Sequence, residues 1–177
     1  MRVLKPTKVG FSFFRGYKMT RIIPKTLLLS FMAFSLFSLA NAANYQVQEI
    51  LDGDTIRINN APGIIRLSYI DAPEIGQKQG SRSARNLEKL IKGKQISFKT
   101  THTDLYGRVN AIVFSEGENI NLTQISNGYA WTTARFSKNE YLMAEQSAKK
   151  YKKGLWNEIH IAPWMFRDAI SELNVHD

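Results

Sequence analysis

An α+β fold is predicted by three features of this 177-residue chain. Short runs alternate apolar and polar residues, as half-buried strands do. Clusters of Asn, Pro and Gly punctuate them. Three further segments carry helical character and end at glycine.

The elements follow in order. YQVQEI (45–50) alternates like a strand with one buried face. DTIRI (54–58) and IIRLSYI (64–70) are the next two strands, and the NNAPG between them is a strong turn signal, so the three read as a meander. SRSARNLEKLIKGK then places Ala84, Leu87, Leu90 and Ile91 on one helical face, and Gly93 stops it. ISFKT (96–100) and VNAIVF (109–114) return to strand character. INLTQISNG reads as a short helix with Gly128 at the position that favours a left-handed residue. EYLMAEQSAKKYKKG reads as a longer helix, with Leu142, Ala144, Ala148 and Tyr151 inward and Gly154 closing it. LWNE opens a tail to Asp177, in which Trp164 and Phe166 are expected to pack on the domain. Five strands with a helix after the third are the pattern of a five-stranded OB-type β-barrel, here with three helices. Such barrels bind nucleic acids and sugars, but fold alone does not assign function.

The first 42 residues read as a secretory signal peptide. MTRIIPK (19–25) is a basic segment, TLLLSFMAFSLFSLA (26–40) is apolar, and Ala40-Asn41-Ala42 fits a small-x-small cleavage site. Met19 is an alternative start. The competing reading is a retained anchor, but the apolar run is short for a bilayer span. The expected organisation is a signal peptide at 1–42, a domain at 43–157 and a tail at 158–177. Export makes the protein secreted or periplasmic, with no stable membrane association after cleavage. There is no cysteine, so disulfides and thiolate metal sites are excluded. No oligomerisation signal is visible, and a monomer is expected.

The formal charge is +9. The leader holds Arg2, Lys5, Lys8, Arg15, Lys18, Arg21 and Lys25 and no acid, so the mature part is near neutral, at about +2. Overall basicity is therefore weak evidence for a nucleic-acid partner.

Three motifs carry the chemistry. In LDGDTIRINN, Asp52 and Asp54 flank Gly53 just before a strand; the plain reading is a tight turn. In IRLSYIDAPE, Arg66 lies inside an apolar strand, Asp71 falls at its end, and Pro73 and Glu74 follow. The plain reading there is a structural arginine–carboxylate pair. In DLYGR, Asp104 and Gly107 form a turn before Arg108. Antiparallel pairing through NNAPG would set Asp54 beside Asp71 at one rim of the barrel. Two carboxylates forced together repel unless a cation joins them, and oxygen-only ligation suits calcium or magnesium. Glu74 is placed to orient or deprotonate a water. Arg66 and Arg108 are suited to hold a dianionic centre by forked hydrogen bonds. A metal, a carboxylate and two arginines suit phosphodiester hydrolysis, where charge gathers on the transition state.

DGDT, then RLxxIDAPE, then DxYGR, in that order from about Val47 to Trp156, resembles the staphylococcal-nuclease (thermonuclease) family. The resemblance implies an OB barrel with helices and a calcium-dependent nuclease that cuts DNA and RNA to 3′-phosphate products. By motif position it implies Asp54 and Asp71 as calcium carboxylates and Ala72 as the source of a backbone carbonyl to Ca2+. It implies Arg66, Glu74 and Arg108 as the catalytic set, and Tyr106 as a contact to substrate phosphate. Leu105 departs from the family's lysine, and in WTTARF Arg135 and Phe136 stand near the family's tyrosine platform. The tail IAPWMFR resembles an ending found in bacterial relatives.

Other polar residues take plain readings. His102, His160 and His176 show no metal-ligand spacing. Lys149, Lys150, Lys152 and Lys153 read as a solvated helix face, and Trp131 and Trp156 as core. Two other functions compete. One is a non-catalytic OB-fold nucleic-acid-binding module, which would not need this full set of acids and arginines. The other is an envelope barrel binding carbohydrate or peptide, with Arg66 and Arg108 as mere ion-pair partners.

Overall fold

The computed structural model describes residues 44–133 and 139–174. The leader with its expected cleavage site, and Arg135, Phe136 and His176, lie outside the described residues. The strands are β1 (Tyr45–Ile50), β2 (Thr55–Ile58), β3 (Ile64–Leu67), β4 (Ile70–Asp71), β5 (Gln95–Thr103), β6 (Val109–Ser115), β7 (Glu118–Asn119) and β8 (Trp131–Thr132). The helices are α1 (Gly80–Ile91), α2 (Ile120–Ser126), α3 (Asn139–Lys150) and α4 (Pro163–Asn174), with a 3₁₀ turn at Gly154–Asn157.

β1, β2, β3, β5 and β6 form a closed barrel. Antiparallel pairs run β3–β2–β1–β5–β6, and β3 then pairs parallel with β6. Closure leaves these strands no free edge. Apolar residues of the expected strands fill the interior: Ile56 and Ile58 from β2, Ile65 and Leu67 from β3, Ile96 from β5 and Val113 from β6 are buried. Leu87 and Ile91 of α1, Ile125 of α2 and Tyr141 of α3 join this core.

The five strands and three expected helices are present, and four details differ from expectation. IIRLSYI is not one strand. It breaks after Leu67, where Tyr69 takes a left-handed φ of 68°, a conformation uncommon for a bulky residue. Ile70 and Asp71 then leave the barrel and pair with β8. On α1 the inward residue is Ser83 rather than Ala84, which is half-buried. Ser83 is accommodated because its Oγ donates to the Tyr129 carbonyl at 2.6 Å. On α3 the buried residues are Tyr141, Glu145 and Ala148, whereas Tyr151 is 65% exposed. The helix ends at Lys150, so Tyr151 no longer follows its inner face. Finally, the tail forms α4, a fourth helix.

Gly128 does the work assigned to it. Its φ is +77°, and a Cβ there would meet the Lys153 carbonyl oxygen at 2.3 Å. Trp131 is buried, and Trp156 packs edge-on against it with centroids 5.0 Å apart. Among the described residues, no helix is long and apolar enough to cross a membrane.

Candidate active site

The site is built on the turn before β2. Asp52 Oδ1 accepts the Asp54 N–H at 2.8 Å, and the Gly53 carbonyl accepts from Gln124 Nε2 at 2.8 Å. Gly53 admits no side chain, because a Cβ would lie 1.9 Å from Ser83 Oγ and 2.7 Å from Ala72 Cβ. The DGD sequence is thus a turn pressed against α1 and the segment after β4, and it delivers Asp54 to the rim almost fully buried, at 2% exposure. Burial pushes the Asp52 carboxyl above its usual value, with the Arg66 charge and hydrogen bonds with Thr55 opposing.

Register brings the first arginine to this acid. Thr55 of β2 stands opposite Arg66 of β3. Arg66 Nη1 hydrogen-bonds Asp54 Oδ1, and its Nη2 donates to Asp71 Oδ1 at 2.9 Å. The Ala72 N–H donates to Asp54 Oδ2 at 2.6 Å, and Thr55 Oγ1 to Asp54 Oδ1 at 3.0 Å. Asp54 and Asp71 therefore share one rim, but not through the hairpin alone: β3 ends at Leu67, and Asp71 reaches the rim from β4. Their immediate bridge is the Arg66 guanidinium, so the plain arginine–carboxylate pairing is also present.

Glu74 sits half-exposed just beyond. Its partner is one the sequence reading missed. Arg167 of α4 donates from Nη1 to Glu74 Oε1 at 2.8 Å and to Asp71 Oδ1 at 3.2 Å, and from Nη2 to Asp71 Oδ2 at 2.8 Å. Hydrogen bonding to Asp71 outweighs burial, and with the bond to Glu74 it raises the Arg167 guanidinium above its already high ordinary value. The signal in the sequence was the arginine ending IAPWMFR, the tail segment in which only the aromatics were weighed.

Arg108 is held differently. Its Nε donates to Asp104 Oδ2 at 2.7 Å, and its backbone N–H to Asp104 Oδ1 at 2.9 Å. Some burial cost on Asp104 is outweighed by these bonds and by the Tyr106 N–H, which hold its carboxyl below the usual range. Arg108 makes no ion pair with Asp54, Asp71 or Glu74 among the described residues, but its charge reaches Asp52. Tyr106 is 85% exposed, with the Arg108 guanidinium 5.5 Å from its ring centre. A cavity of about 710 Å³ adjoins Arg66, lined in part by Tyr69, His102, Asn110 and Trp164.

The donor chemistry fits a hard cation. Two buried carboxylates and nearby main-chain oxygen offer oxygen alone. Among the described residues no three acid or histidine side chains converge as a ready-made metal cage. Any cation would complete its shell with water and substrate. At this rim three carboxylates face two guanidiniums, Arg66 and Arg167, which leaves a net negative charge to attract one. Of the two described histidines, His102 contacts Thr101 and lines the cavity beside Arg66, and His160 packs on Trp156 at 4.6 Å. Lys149 is exposed but pairs at 3.2 Å with the buried Glu145, and its Nζ lies 4.6 Å from the Trp156 ring centre.

Comparison with known proteins agrees with this architecture. The family described as "Staphylococcal nuclease homologue" matches residues 64–158. An "Uncharacterized endonuclease" of Haemophilus influenzae is 32% identical over 158 residues, covering 85% of this chain and 88% of its own. An Escherichia coli protein of the same description is 31% identical over 84% of this chain and 98% of its own. A "Micrococcal nuclease" of Shigella flexneri is 32% identical over 70% of this chain and 80% of its own. The barrel, the acid–arginine rim and these matches lead to one conclusion: the chain belongs to the staphylococcal nuclease homologue family.

Proposed function

We propose that this protein is a secreted or periplasmic, calcium-dependent, sugar-nonspecific nuclease that hydrolyses phosphodiester bonds of DNA and RNA to 3′-phosphate products. The observation that carries the reading is the rim itself. Asp54 and Asp71 are joined by Arg66, with Glu74 one step further out. Family membership supports nuclease chemistry on nucleic acid.

Asp54, Asp71 and the Ala72 carbonyl would hold Ca2+, which supplies charge neutralisation and polarises a phosphoryl oxygen. The protein's own groups do the rest. Glu74 takes a proton from the attacking water, as a positioned general base does. The water oxygen bonds to phosphorus and the bond to the 5′ oxygen breaks. That oxygen leaves and is protonated by solvent. Arg66 and Arg108 donate to the phosphate oxygens as charge accumulates on them, and fixed donors aimed at developing charge are among the largest contributors to rate. Tyr106 at the exposed loop tip contacts a neighbouring phosphate. A site with few protein carboxylates binds calcium weakly, which suits a calcium-rich compartment outside the cytoplasm.

The test is cleavage of single-stranded DNA by purified 43–177, with millimolar calcium and then with excess EGTA. Calcium-dependent cleavage leaving 3′-phosphates is expected. A folded protein that binds DNA in a salt-sensitive way but never cleaves it would instead be a non-catalytic binding module.

A further inference from the structure

Arg167 comes from a helix the strand-and-helix pattern did not predict, yet it contacts two of the three rim carboxylates. The tail that carries it is anchored elsewhere as well. Gln77 Nε2 donates to the Ile161 carbonyl. Glu158 accepts from Gln79 Nε2 and from Arg82 Nη1, each at 2.8 Å. Trp164, three residues before Arg167 and so on a neighbouring part of the same helical face, packs edge-on against Trp131 at 6.4 Å. Docking of the tail therefore does not depend on Arg167.

The fork of Arg167 is also selective. Both of its terminal nitrogens engage Asp71, which is only 4% exposed. One of them also takes Glu74 Oε1. Glu74 Oε2 has no hydrogen bond among the described residues. A carboxylate with one oxygen pinned by a rigid guanidinium and the other unengaged is held in a single orientation, with one oxygen left to receive a proton.

We propose that Arg167 is a positioning residue of the hydrolytic site: by tying Glu74 Oε1 to Asp71, it aims Glu74 Oε2 at the water to be activated. The C-terminal helix is then part of the active site rather than a cover for the barrel. The inference rests on the nuclease reading above.

The experiment is a double-mutant cycle in the mature chain, with single-stranded DNA and calcium. Arg167→Ala is expected to lower kcat by about tenfold to a hundredfold, the scale of a misplaced catalytic group, and to change KM by less than about threefold. Arg167→Lys, keeping the charge but not the fork, is expected to recover part of the loss. Combined with Glu74→Gln, Arg167→Ala is expected to add no further loss, because the two act as one unit. A purely structural role would instead give losses that multiply in the double variant, and that result overturns the proposal. An unchanged or raised kcat in Arg167→Ala overturns it too, the latter marking the arginine as a brake on the site. Thermal melts accompany each variant, and if Arg167→Ala does not fold, the cycle is run with Arg167→Lys under the same criteria. Wild-type cleavage abolished by Arg108→Ala, with multiplying losses at Arg167, would remove the positioning role alone. Absence of wild-type cleavage would remove the nuclease reading and this inference together.

Discussion

Arg66 donates a 2.9 Å hydrogen bond to Asp71 while its other terminal nitrogen holds Asp54. One guanidinium thus joins a carboxylate from the turn before β2 to one from the short strand that leaves the barrel. Charge, fold and proposed chemistry meet at this contact, and four predictions follow from its surroundings.

Removal of Arg66 affects stability as well as turnover. Arg66→Ala leaves Asp54 and Asp71 buried side by side with fewer donors, and uncompensated buried charge costs about 3 kcal/mol. Urea unfolding in EGTA is expected to show a loss of that order. Calcium is expected to restore part of it, since a divalent ion takes over the neutralising role. Turnover should stay lower by orders of magnitude even when calcium restores the fold. Recovery of full activity would contradict the assignment of Arg66 to the phosphate.

Glu74 and Arg108 can be altered with little damage to the fold. Glu74 is half-exposed, and among the described residues the ion pair of Arg108 is with the loop residue Asp104. Glu74→Gln is expected to lower kcat by about a hundredfold to ten-thousandfold, the range for loss of a general base. Arg108→Ala is expected to lower it by about a hundredfold or more, as for loss of a donor to developing charge. Circular dichroism and steady-state kinetics check both. A folded Arg108→Ala protein with full activity would sink its catalytic assignment.

Calcium is expected to raise the thermal midpoint of the mature protein. A ligand that binds only the folded state, at a hundred times its dissociation constant, adds about 2.7 kcal/mol. Asp71→Asn should abolish most of that increment, read by melting and by titration calorimetry without nucleic acid. An equal calcium response in Asp71→Asn would place the ion elsewhere.

The docking of the tail should depend on pH. Hydrogen bonding from Arg82 holds the Glu158 carboxyl below its ordinary value of 4.5. A carboxylate with a depressed folded-state value stabilises the fold above its unfolded value and loses that contribution as pH falls through the folded one. Amide protection in α4, taken relative to the intrinsic exchange rate at each pH, is therefore expected to be unchanged from neutral pH down to about 4.5 and to fall below it. Glu158→Gln should show the lowered protection already at neutral pH. Because Arg167 rides on this helix, kcat in that variant should fall together with protection.

Much of this was legible in the sequence because it is written locally. Alternation in YQVQEI is a property of neighbouring residues, and it survives from Tyr45 to Gln48 as half-buried and exposed positions in turn, whereas Asn110 to Val113 of β6 are buried without a break. The adjacency of Asp54 and Arg66 was also within reach. A short turn such as NNAPG sets the register of a hairpin, and Thr55 opposite Arg66 follows from it. Family resemblance lay in the same contiguous motifs, DGDT, RLSYIDAPE and DLYGR.

Tertiary structure decided what no local pattern encodes. The left-handed Tyr69 that ends β3 and turns Asp71 toward β8 reflects the packing of its ring on Tyr141, 5.9 Å away, and the pairing of β4 with β8. Ser83 faces inward because Tyr129 and Gln124, distant in sequence, supply its hydrogen bonds. Arg167 reaches Asp71 and Glu74 only because Gln77, Gln79 and Arg82 dock the tail across the start of α1. Sequence alone therefore determined the five barrel strands in outline, the hairpin and the placing of Asp54 beside Arg66, since periodicity and turn chemistry act between neighbours. Arg66 comes with the hairpin, but the second cation, Arg167, was decided by long-range docking, because a guanidinium in the C-terminal helix finds its carboxylates only after the barrel has placed both.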